Sequence, residues 1–365
     1  MKKRRIALLC MGMLLLLLTA CGKTANGKED NVGKAAEQSQ QAATETADQT
    51  ESAAVSEKAY ESLAVWPTYW DTDTVMSEID TLQDKIDTIC YFAAYFDANK
   101  QPFIPDQSME TYASVKAKYS DRNWTSYLTF VNDLLLPDGG SSLKDTDLLY
   151  TLLQDPSSRK NHINQILQMV QDNGFDGIEI DYEAIRKDMT LWKIFTQFIT
   201  ELNTEAQNRG ILVRVLLEPS VPAAELTLPE GPEYVLMCYN LYGYGTEAGP
   251  KANQDFLIQM SQLLEQMPSP RNMAFSVGGF DFAKDGTVKQ VTEAECVALQ
   301  KQYKASTTRD EQSEDVVFSY TDANGMTHDV WYADHDTLQY WMKVGETYGI
   351  KRFTIWRLGS NVTLQ

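Results

Sequence analysis

One eight-residue stretch, residues 176–183, limits what this chain can fold into more than any other. It reads DGIEIDYE and follows the turn-like triplet NGF, which predicts a buried strand that starts from a turn. Because side chains alternate between the two faces of a strand, Glu179, Asp181 and Glu183 share one face. Ile178, Ile180 and Tyr182 share the other face. Same-face neighbours lie about 6.5–7 Å apart, so this strand predicts a row of three carboxyls.

The row of carboxyls indicates acid–base chemistry if it faces the protein interior. Like charges at this spacing cannot all ionise cheaply, so at least one carboxyl should keep its proton near neutral pH. A protonated carboxylic acid beside an ionised one is what glycoside cleavage needs. The alternative is a solvated acidic face on an edge strand, against which the apolar opposite face argues.

The surrounding sequence alternates short apolar runs with helix-like segments. The eight strand runs are 63–66, 86–96, 124–132, 176–183, 211–217, 234–239, 273–277 and 353–356. This alternation predicts an α/β fold, a (β/α)8 TIM barrel, with a doubly wound α/β sheet as the alternative. Between strand runs seven and eight, a helix pattern and a hairpin around the sequence DANG predict a small α+β insertion at about 291–332.

The barrel prediction places the candidate site at one end of the strands. Active sites of such barrels lie at the C-terminal ends of the strands. The residues predicted there are Glu183, Glu218, Tyr239, Asn240 and Trp356. Trp70 ends the first strand run, and Tyr242 lies in a Gly/Tyr-rich loop after the sixth. Glu218 could instead form a salt bridge with a neighbouring loop, and the two aromatic residues could be packing residues.

The N-terminal residues carry targeting signals rather than fold. Residues 2–5 are basic, and the apolar run 6–18 is too short to span a bilayer comfortably. The box LTAC resembles a bacterial lipoprotein signal, in which cleavage after residue 20 leaves Cys21 as the lipid-bearing N-terminus. We therefore expect a signal peptide at 1–21 and a protein anchored by lipid to the bacterial membrane, outside the cytoplasm. A plain secretory signal is the alternative.

Composition bounds the rest of the chain. Residues 22–58 contain no aromatic residue and predict a disordered tether, which leaves 59–365 for the folded domain. A formal net charge of −19 argues against a nucleic-acid partner. Beyond Cys21, the three scattered cysteines and the three histidines have no metal-ligand spacing, so no metal or other cofactor is expected.

Three motifs, in order, resemble glycoside hydrolase family 18, in particular its chitinase-like and spore-germination cell-wall branch. Residues 176–183 resemble the fourth-strand signature DGxDxDxE. Residues 237–240 resemble the sixth-strand M-x-Y-D/N element, and 330–332 with 355–359 resemble the closing segment. The resemblance implies a (β/α)8 catalytic domain. It also implies substrate-assisted, retaining hydrolysis of β-linked, N-acetylglucosamine-containing glycans such as peptidoglycan or chitin-like polymers.

The resemblance also implies roles for individual residues. Glu183 would be the general acid and then the base, and Asp181 would orient the substrate acetamide and stabilise the oxazolinium intermediate. Tyr239 would hydrogen-bond the acetamide, with assistance from Asn240. Trp356 would form the apolar floor beneath the sugar ring.

The chain departs from the family at Glu179, where the signature has Asp. The extra methylene must be repacked in the barrel interior. The family residue trades a proton or hydrogen bond with the position of Asp181, so Glu179 is expected to do the same or to shift the acidity of the pair. We group Glu179 with Trp70, Glu218 and Tyr242 as candidate substrate-binding residues. Two other functions stay open: a family-18-like carbohydrate-binding protein with little or no turnover, and a two-lobed substrate-binding lipoprotein of a transporter.

Overall fold

The computed structural model describes residues 60–136 and 139–364. Cys21 and the predicted signal and tether lie outside the described residues, so their assignments stay predictions. Within the described part, no helix is both long and apolar enough to cross a membrane.

The described chain alternates strands and helices along most of its length. In chain order the elements are β1 (Ser62–Pro67), α1 (Thr72–Leu82), β2 (Thr88–Phe96), β3 (Pro102–Phe103), α2 (Asp106–Lys118), β4 (Thr125–Leu135), β5 (Ser141–Ser142), α3 (Thr146–Leu153), α4 (Pro156–Asn173), β6 (Gly177–Asp181), α5 (Met189–Asn208), β7 (Leu212–Leu217), a 3-10 turn (Ala223–Glu225), β8 (Glu233–Met237), α6 (Gln254–Glu265), β9 (Arg271–Ser276), β10 (Gly278–Ala283), β11 (Val288–Val291), α7 (Glu293–Tyr303), β12 (Thr308–Arg309), β13 (Val316–Thr321), β14 (Thr327–Ala333), α8 (His335–Thr347) and β15 (Arg352–Leu358).

Eight of these strands form a closed parallel barrel. Their order is β1-β2-β4-β6-β7-β8-β9-β15, and β15 pairs back to β1 in parallel. The two-residue strands β3 and β5 only extend β2 and β4 in antiparallel fashion. The closed ring confirms the predicted (β/α)8 barrel and excludes the doubly wound sheet, which has open edges.

The insertion between the seventh and eighth barrel strands is an antiparallel sheet with one helix. Its strand order is β11-β10-β14-β13-β12, and α7 packs against it. The sheet begins at Gly278, directly after β9, because the segment read from the sequence as a loop pairs with both β11 and β14. A glycine is needed at Gly279, since a Cβ there would lie 1.7 Å from the carbonyl oxygen of Trp331. This confirms an α+β insertion and shows a larger sheet than the hairpin predicted.

Local sequence explains how the chain enters β6 and which face of this strand points into the barrel. Helix α4 ends at Gly174, whose left-handed φ of 70° turns the chain into the strand. The outer face of β6, with Ile178 and Ile180, is fully buried in the core between strands and helices. The inner face therefore turns Glu179 and Asp181 into the barrel.

Candidate active site

A cavity of about 240 Å³ opens where the barrel strands end. Five of the residues predicted from the sequence line it: Asp181, Glu183, Tyr239, Asn240 and Trp356. Their strands are three different members of the barrel, separated along the chain by long helical segments. The structure therefore brings together the residues that the resemblance assigned to one catalytic centre.

A second cavity, of about 350 Å³, adjoins the first across Trp356. The two cavities share Ser276, Gln290 and Trp356 as lining residues, so they are neighbours at the same end of the barrel. Trp70 lines the second cavity and is half exposed, in the position of a side chain that could stack on a sugar. Gln290 comes from β11, which means that the insertion supplies one wall of the cleft.

Asn132 and Glu218 hold the turn that carries Glu183. The side chain of Asn132 accepts a hydrogen bond from the Glu183 amide (2.9 Å) and donates one to the Glu183 carbonyl oxygen (3.2 Å). Glu218 accepts a hydrogen bond from the amide of Ala184 (2.8 Å), which has a left-handed φ of 64°. Glu218 does not appear in the lining of either cavity in the described structure, so substrate contact by this residue stays a prediction.

The carboxyl of Glu183 is mostly buried and forms a salt bridge with the ammonium of Lys144. Burial raises the pKa of Glu183, while the positive charge of Lys144 opposes that rise. For Lys144, partial burial lowers the pKa, but the carboxyls of Glu183, Asp181 and Glu218 together outweigh this effect and the pKa is raised overall. Sequence reasoning missed Lys144, because a single lysine in a polar loop gives no signal of its own.

Asp181 lies deeper in the same cavity. Burial, and then the negative charge of Glu183, raise the pKa of Asp181 well above its usual range. The structure thus favours a neutral Asp181, as expected from a row of carboxyls on one face. Its Oδ1 is buried and has no hydrogen-bond partner among the described residues. An unused polar atom at the bottom of a cleft is available to a substrate group.

The aromatic residues close the floor and side of the cavity. The ring of Trp356 packs edge-on against Trp66, with ring centroids 5.7 Å apart, and against Phe92 at 4.8 Å. Trp356 stays partly exposed toward the cavity. Burial, and then the charge of Asp181, raise the pKa of Tyr239, so its hydroxyl remains protonated and can donate a hydrogen bond.

Glu179 lies outside the lining of the cavity. It is fully buried, and one carboxylate oxygen accepts hydrogen bonds from the Trp66 indole and the Thr129 hydroxyl, both at 2.6 Å. The other oxygen accepts from Arg214 Nε at 2.8 Å. Both carboxylate oxygens are therefore held by hydrogen bonds from these three side chains. Among the described residues no hydrogen bond supports the expected exchange with Asp181. The other expectation, a shift in the acidity of the pair, agrees with the negative charge of Glu179, which adds to the rise in the pKa of Asp181.

Arg214 extends this contact into a buried network across four barrel strands. Its other nitrogens bind Glu233 at 2.5 Å and the Thr354 hydroxyl at 2.9 Å, and Arg352 also pairs with Glu233 at 2.6 Å. Arg214 lies directly opposite Glu179 in the pairing of β6 with β7. Its signal in the sequence was a lone charge in the apolar run ILVRVLL, which sequence reasoning did not use.

Tyr242 is not brought to the catalytic cavity. Its ring lies over Gly249, where a Cβ would come within 2.6 Å of the ring. The neighbouring Asn240 adopts a left-handed φ of 62° and does line the cavity. Packing against Gly249 therefore accounts for the position of the Tyr242 ring. Contact between Tyr242 and a sugar stays a prediction.

Comparison with known proteins agrees with this geometry. A family model described as glycosyl hydrolases family 18 matches residues 65–361. The Bacillus subtilis protein YdhD, whose name describes a sporulation-specific glycosylase, is 25% identical over 258 residues, which is 65% of this chain and 58% of that protein. A cortical fragment-lytic enzyme of Bacillus cereus is 24% identical over 58% of this chain and 53% of its own length. The chain thus spans little more than half the length of these curated relatives.

Solved structures share the fold at low sequence identity. The spore cortex-lytic enzyme SleL of Bacillus cereus superposes with a TM-score of 0.68 at 18% identity, over 83% of this chain and 72% of that chain. A chitinase of Chromobacterium violaceum superposes with a TM-score of 0.69 at 16% identity, over 83% of this chain and 96% of that chain. At these identities the likeness shows the fold alone.

Proposed function

Because the chain belongs to glycosyl hydrolases family 18, we propose that it is a glycosidase that cleaves β-linked glycans containing N-acetylglucosamine, such as peptidoglycan or chitin-like polymers. The observation that carries the proposal is the meeting of Asp181, Glu183, Tyr239 and Trp356 in one cavity. These side chains supply a proton donor, a partner for the acetamide and an apolar floor for a sugar ring.

The proposed mechanism is retaining hydrolysis in which the substrate's own acetamide oxygen is the nucleophile. Glu183 protonates the leaving oxygen and then, as a carboxylate, activates water. Retention through a protein nucleophile would need a second ionised carboxylate. The raised pKa of Asp181 argues against that role, because a neutral carboxyl is a poor nucleophile. A neutral Asp181 suits the orientation of an acetamide by hydrogen bonds, with Tyr239 as a second donor.

The proposal is tested by turnover of chitooligosaccharides and of purified peptidoglycan. Glu183→Gln should lower kcat by about 10²–10⁴-fold, because the side chain keeps its shape but cannot donate or accept the proton. Glu225→Gln, an exposed site on the 3-10 turn, serves as the control and should match the wild type. The first product should have the retained anomeric configuration by NMR.

The same assay separates the proposal from the other functions. Binding of these glycans by the wild type without cleavage would favour a carbohydrate-binding protein. If the wild type neither bound nor cleaved these glycans, that result would contradict the proposal. A transporter-type substrate-binding protein would need two lobes around a hinge, and the closed barrel of the described residues opposes it.

We also propose that the protein is held at the outer face of the bacterial membrane by lipid on Cys21. The support is the order of a basic segment, an apolar segment and the LTAC box at the start of the sequence. An anchored glycosidase would act on glycans that lie close to that membrane, which agrees with a cell-wall substrate.

A further inference from the structure

Lys144 stands beside the proposed catalytic acid in a way that the reaction alone does not require. Among the described residues that line the catalytic cavity, it is the one cationic side chain. Its ammonium binds the Glu183 carboxylate, and 48% of the surface of the side chain remains accessible. The lysine can therefore reach both the acid and a ligand in the cleft.

The backbone holds Lys144 in this place. Its amide donates a hydrogen bond to Asp133 Oδ1 at 2.7 Å, and its φ of 53° lies in the left-handed region. Asn132 connects the loop of Lys144 to the turn of Glu183. Its side-chain amide donates hydrogen bonds to the carbonyl oxygen of Asp145, the residue after Lys144, and to that of Glu183. Such conformations cost free energy in residues other than glycine and cluster at functional sites. The lysine and the acid are thus positioned by a common support.

The salt bridge conflicts with the first step of hydrolysis. Glu183 must carry a proton to act as an acid, but the charge of Lys144 favours the carboxylate. The other titratable groups that face Glu183 are the carboxyls of Asp133, Asp181 and Glu218 and the hydroxyl of Tyr239. When Glu183 takes up its proton, Lys144 loses its charged partner. A carboxylate supplied by the substrate would replace it.

We propose that Lys144 binds a carboxylate on the leaving-group sugar and thereby frees Glu183 to hold its proton. This inference rests on the proposed glycosidase function. In a β-1,4-linked chain the leaving oxygen is O4 of the departing sugar, and C3 is the neighbouring ring carbon. An O-lactyl group on C3, as in a muramic acid-type hexosamine, places its carboxylate only a few bonds from that oxygen. Glu183 contacts Lys144 and also donates its proton to the leaving oxygen. Lys144 and the leaving oxygen therefore lie on the same side of the sugar that is cleaved.

The carboxyls around the site sharpen this preference. Asp133 lines the cavity beside Lys144 and would repel an anion placed elsewhere along that wall, so an arriving carboxylate has Lys144 as its cationic partner among the described lining residues. The recognition site is therefore narrow, and it selects for the position of the charge as well as its sign.

The same chemistry places the reaction after another one. In peptide-bearing strands the lactyl carboxyl is tied up as an amide, which carries no charge. Hydrolysis of that amide consumes water and releases the lactyl carboxylate and the free amine of the peptide. An amidase-type reaction must therefore supply the substrate that this cleft prefers.

The test compares one glycan in two charge states, with the full chain as enzyme. The substrates are the alternating N-acetylglucosamine–N-acetylmuramic acid tetrasaccharide and its lactyl methylamide, with chitotetraose as a neutral reference. Wild-type kcat/KM should be about 10- to 100-fold higher for the acid form, since a hydrogen bond to a charged group has that worth. Lys144→Met should remove this preference, and Lys144→Arg should restore most of it.

The control and a second readout separate recognition from stability. Lys100→Met changes a lysine with a similar left-handed φ of 61° that hydrogen-bonds Thr151 at the surface, and it should keep the wild-type preference. On chitotetraose, the fall of kcat/KM with rising pH reports deprotonation of Glu183 in the free enzyme. Removing the charge of Lys144 raises the pKa of Glu183, so this loss should move to higher pH in Lys144→Met.

Each outcome has one meaning. Equal wild-type rates on the acid and methylamide forms, or an equal loss on both in Lys144→Met, would overturn the inference while the glycosidase function stands. Cleavage of chitotetraose but of neither muramic acid-type substrate would do the same. If none of the three substrates were cleaved, that result would instead contradict the proposed function.

Discussion

At the scale of single residues, Glu179 shows why a longer acid occupies the middle position of the signature. Its carboxylate reaches Trp66, Thr129 and Arg214 at 2.6–2.8 Å, in a region where it is fully shielded from water. A side chain shorter by one methylene would withdraw from these donors. The residue therefore acts as a structural anchor beneath the cavity, which its place in the row of carboxyls did not reveal.

Replacing Glu179 with the family's own residue should destabilise this protein. Glu179→Asp should lower the free energy of unfolding by about 2 kcal/mol, the worth of a hydrogen bond to a charged group. Urea denaturation measures the change. Glu61→Asp is the matched control, because Glu61 pairs with Lys351 at the surface and its shortening should cost less than about 1 kcal/mol. Equal stability of Glu179→Asp and the wild type would show that the barrel interior can adjust.

At the scale of secondary structure, the back of the catalytic strand depends on a buried histidine in α4. His162 Nε2 lies 2.8 Å from the hydroxyl of Tyr182, the residue after β6, and the imidazole stacks on Phe198 of α5. Burial lowers the pKa of His162 to about 3. A neutral imidazole thus holds Tyr182, at the end of β6, against helices α4 and α5.

This packing predicts a loss of stability in acid. The unfolded chain binds a proton on His162 below its ordinary pKa near 6.5, but the folded chain does so only near pH 3. The contribution is complete above pH 6.5 and declines by about 1.4 kcal/mol per unit as the pH falls toward 3. His162→Gln, which keeps a hydrogen-bonding group for Tyr182, should lose about 3 kcal/mol less than the wild type between pH 7 and 4.

Chemical denaturation at several pH values measures that difference. His335→Gln, at the start of α8 and outside this cluster, is the control. Parallel curves for wild type and His162→Gln would contradict the prediction.

At the scale of the whole molecule, the sequence was enough to predict the barrel and several of the residues that meet at one end of it. Strand periodicity and chain order placed Asp181, Glu183, Tyr239 and Trp356 at one mouth, because strand ends of a closed parallel barrel must meet there. Contacts across the barrel were not predictable in this way. The pairing of Glu179 with Arg214 depends on strand register, and the place of Lys144 depends on the conformation of one loop.

The insertion illustrates the same limit. Its hairpin was visible from turn residues, but β10 was read as a loop. Strand β10 is stabilised by pairing with β14, which lies more than forty residues later in the chain. Local propensity cannot register a partner so distant in sequence.

The proposed lipid anchor is a property of the whole chain and is tested as one. Cys21→Ser should move the protein from the membrane fraction to the soluble fraction, because the substituted residue cannot carry the lipid. Its activity on a soluble oligosaccharide should equal that of the wild type, since the cleft lies within residues 60–364. Cys296→Ser, a buried cysteine of the folded domain, is the control for loss of a thiol and should stay with the membrane.

The buried network beneath the cavity also constrains how this lineage can diverge. Loss of Arg214 alone leaves Glu179 and Glu233 without their shared cation, and loss of Glu179 alone leaves a buried guanidinium short of an acceptor. Either single step passes through a less stable protein. Substitutions at these positions are therefore expected to be non-additive, so a variant that changes Glu179 and Arg214 together should lose less stability than the sum of the two single changes.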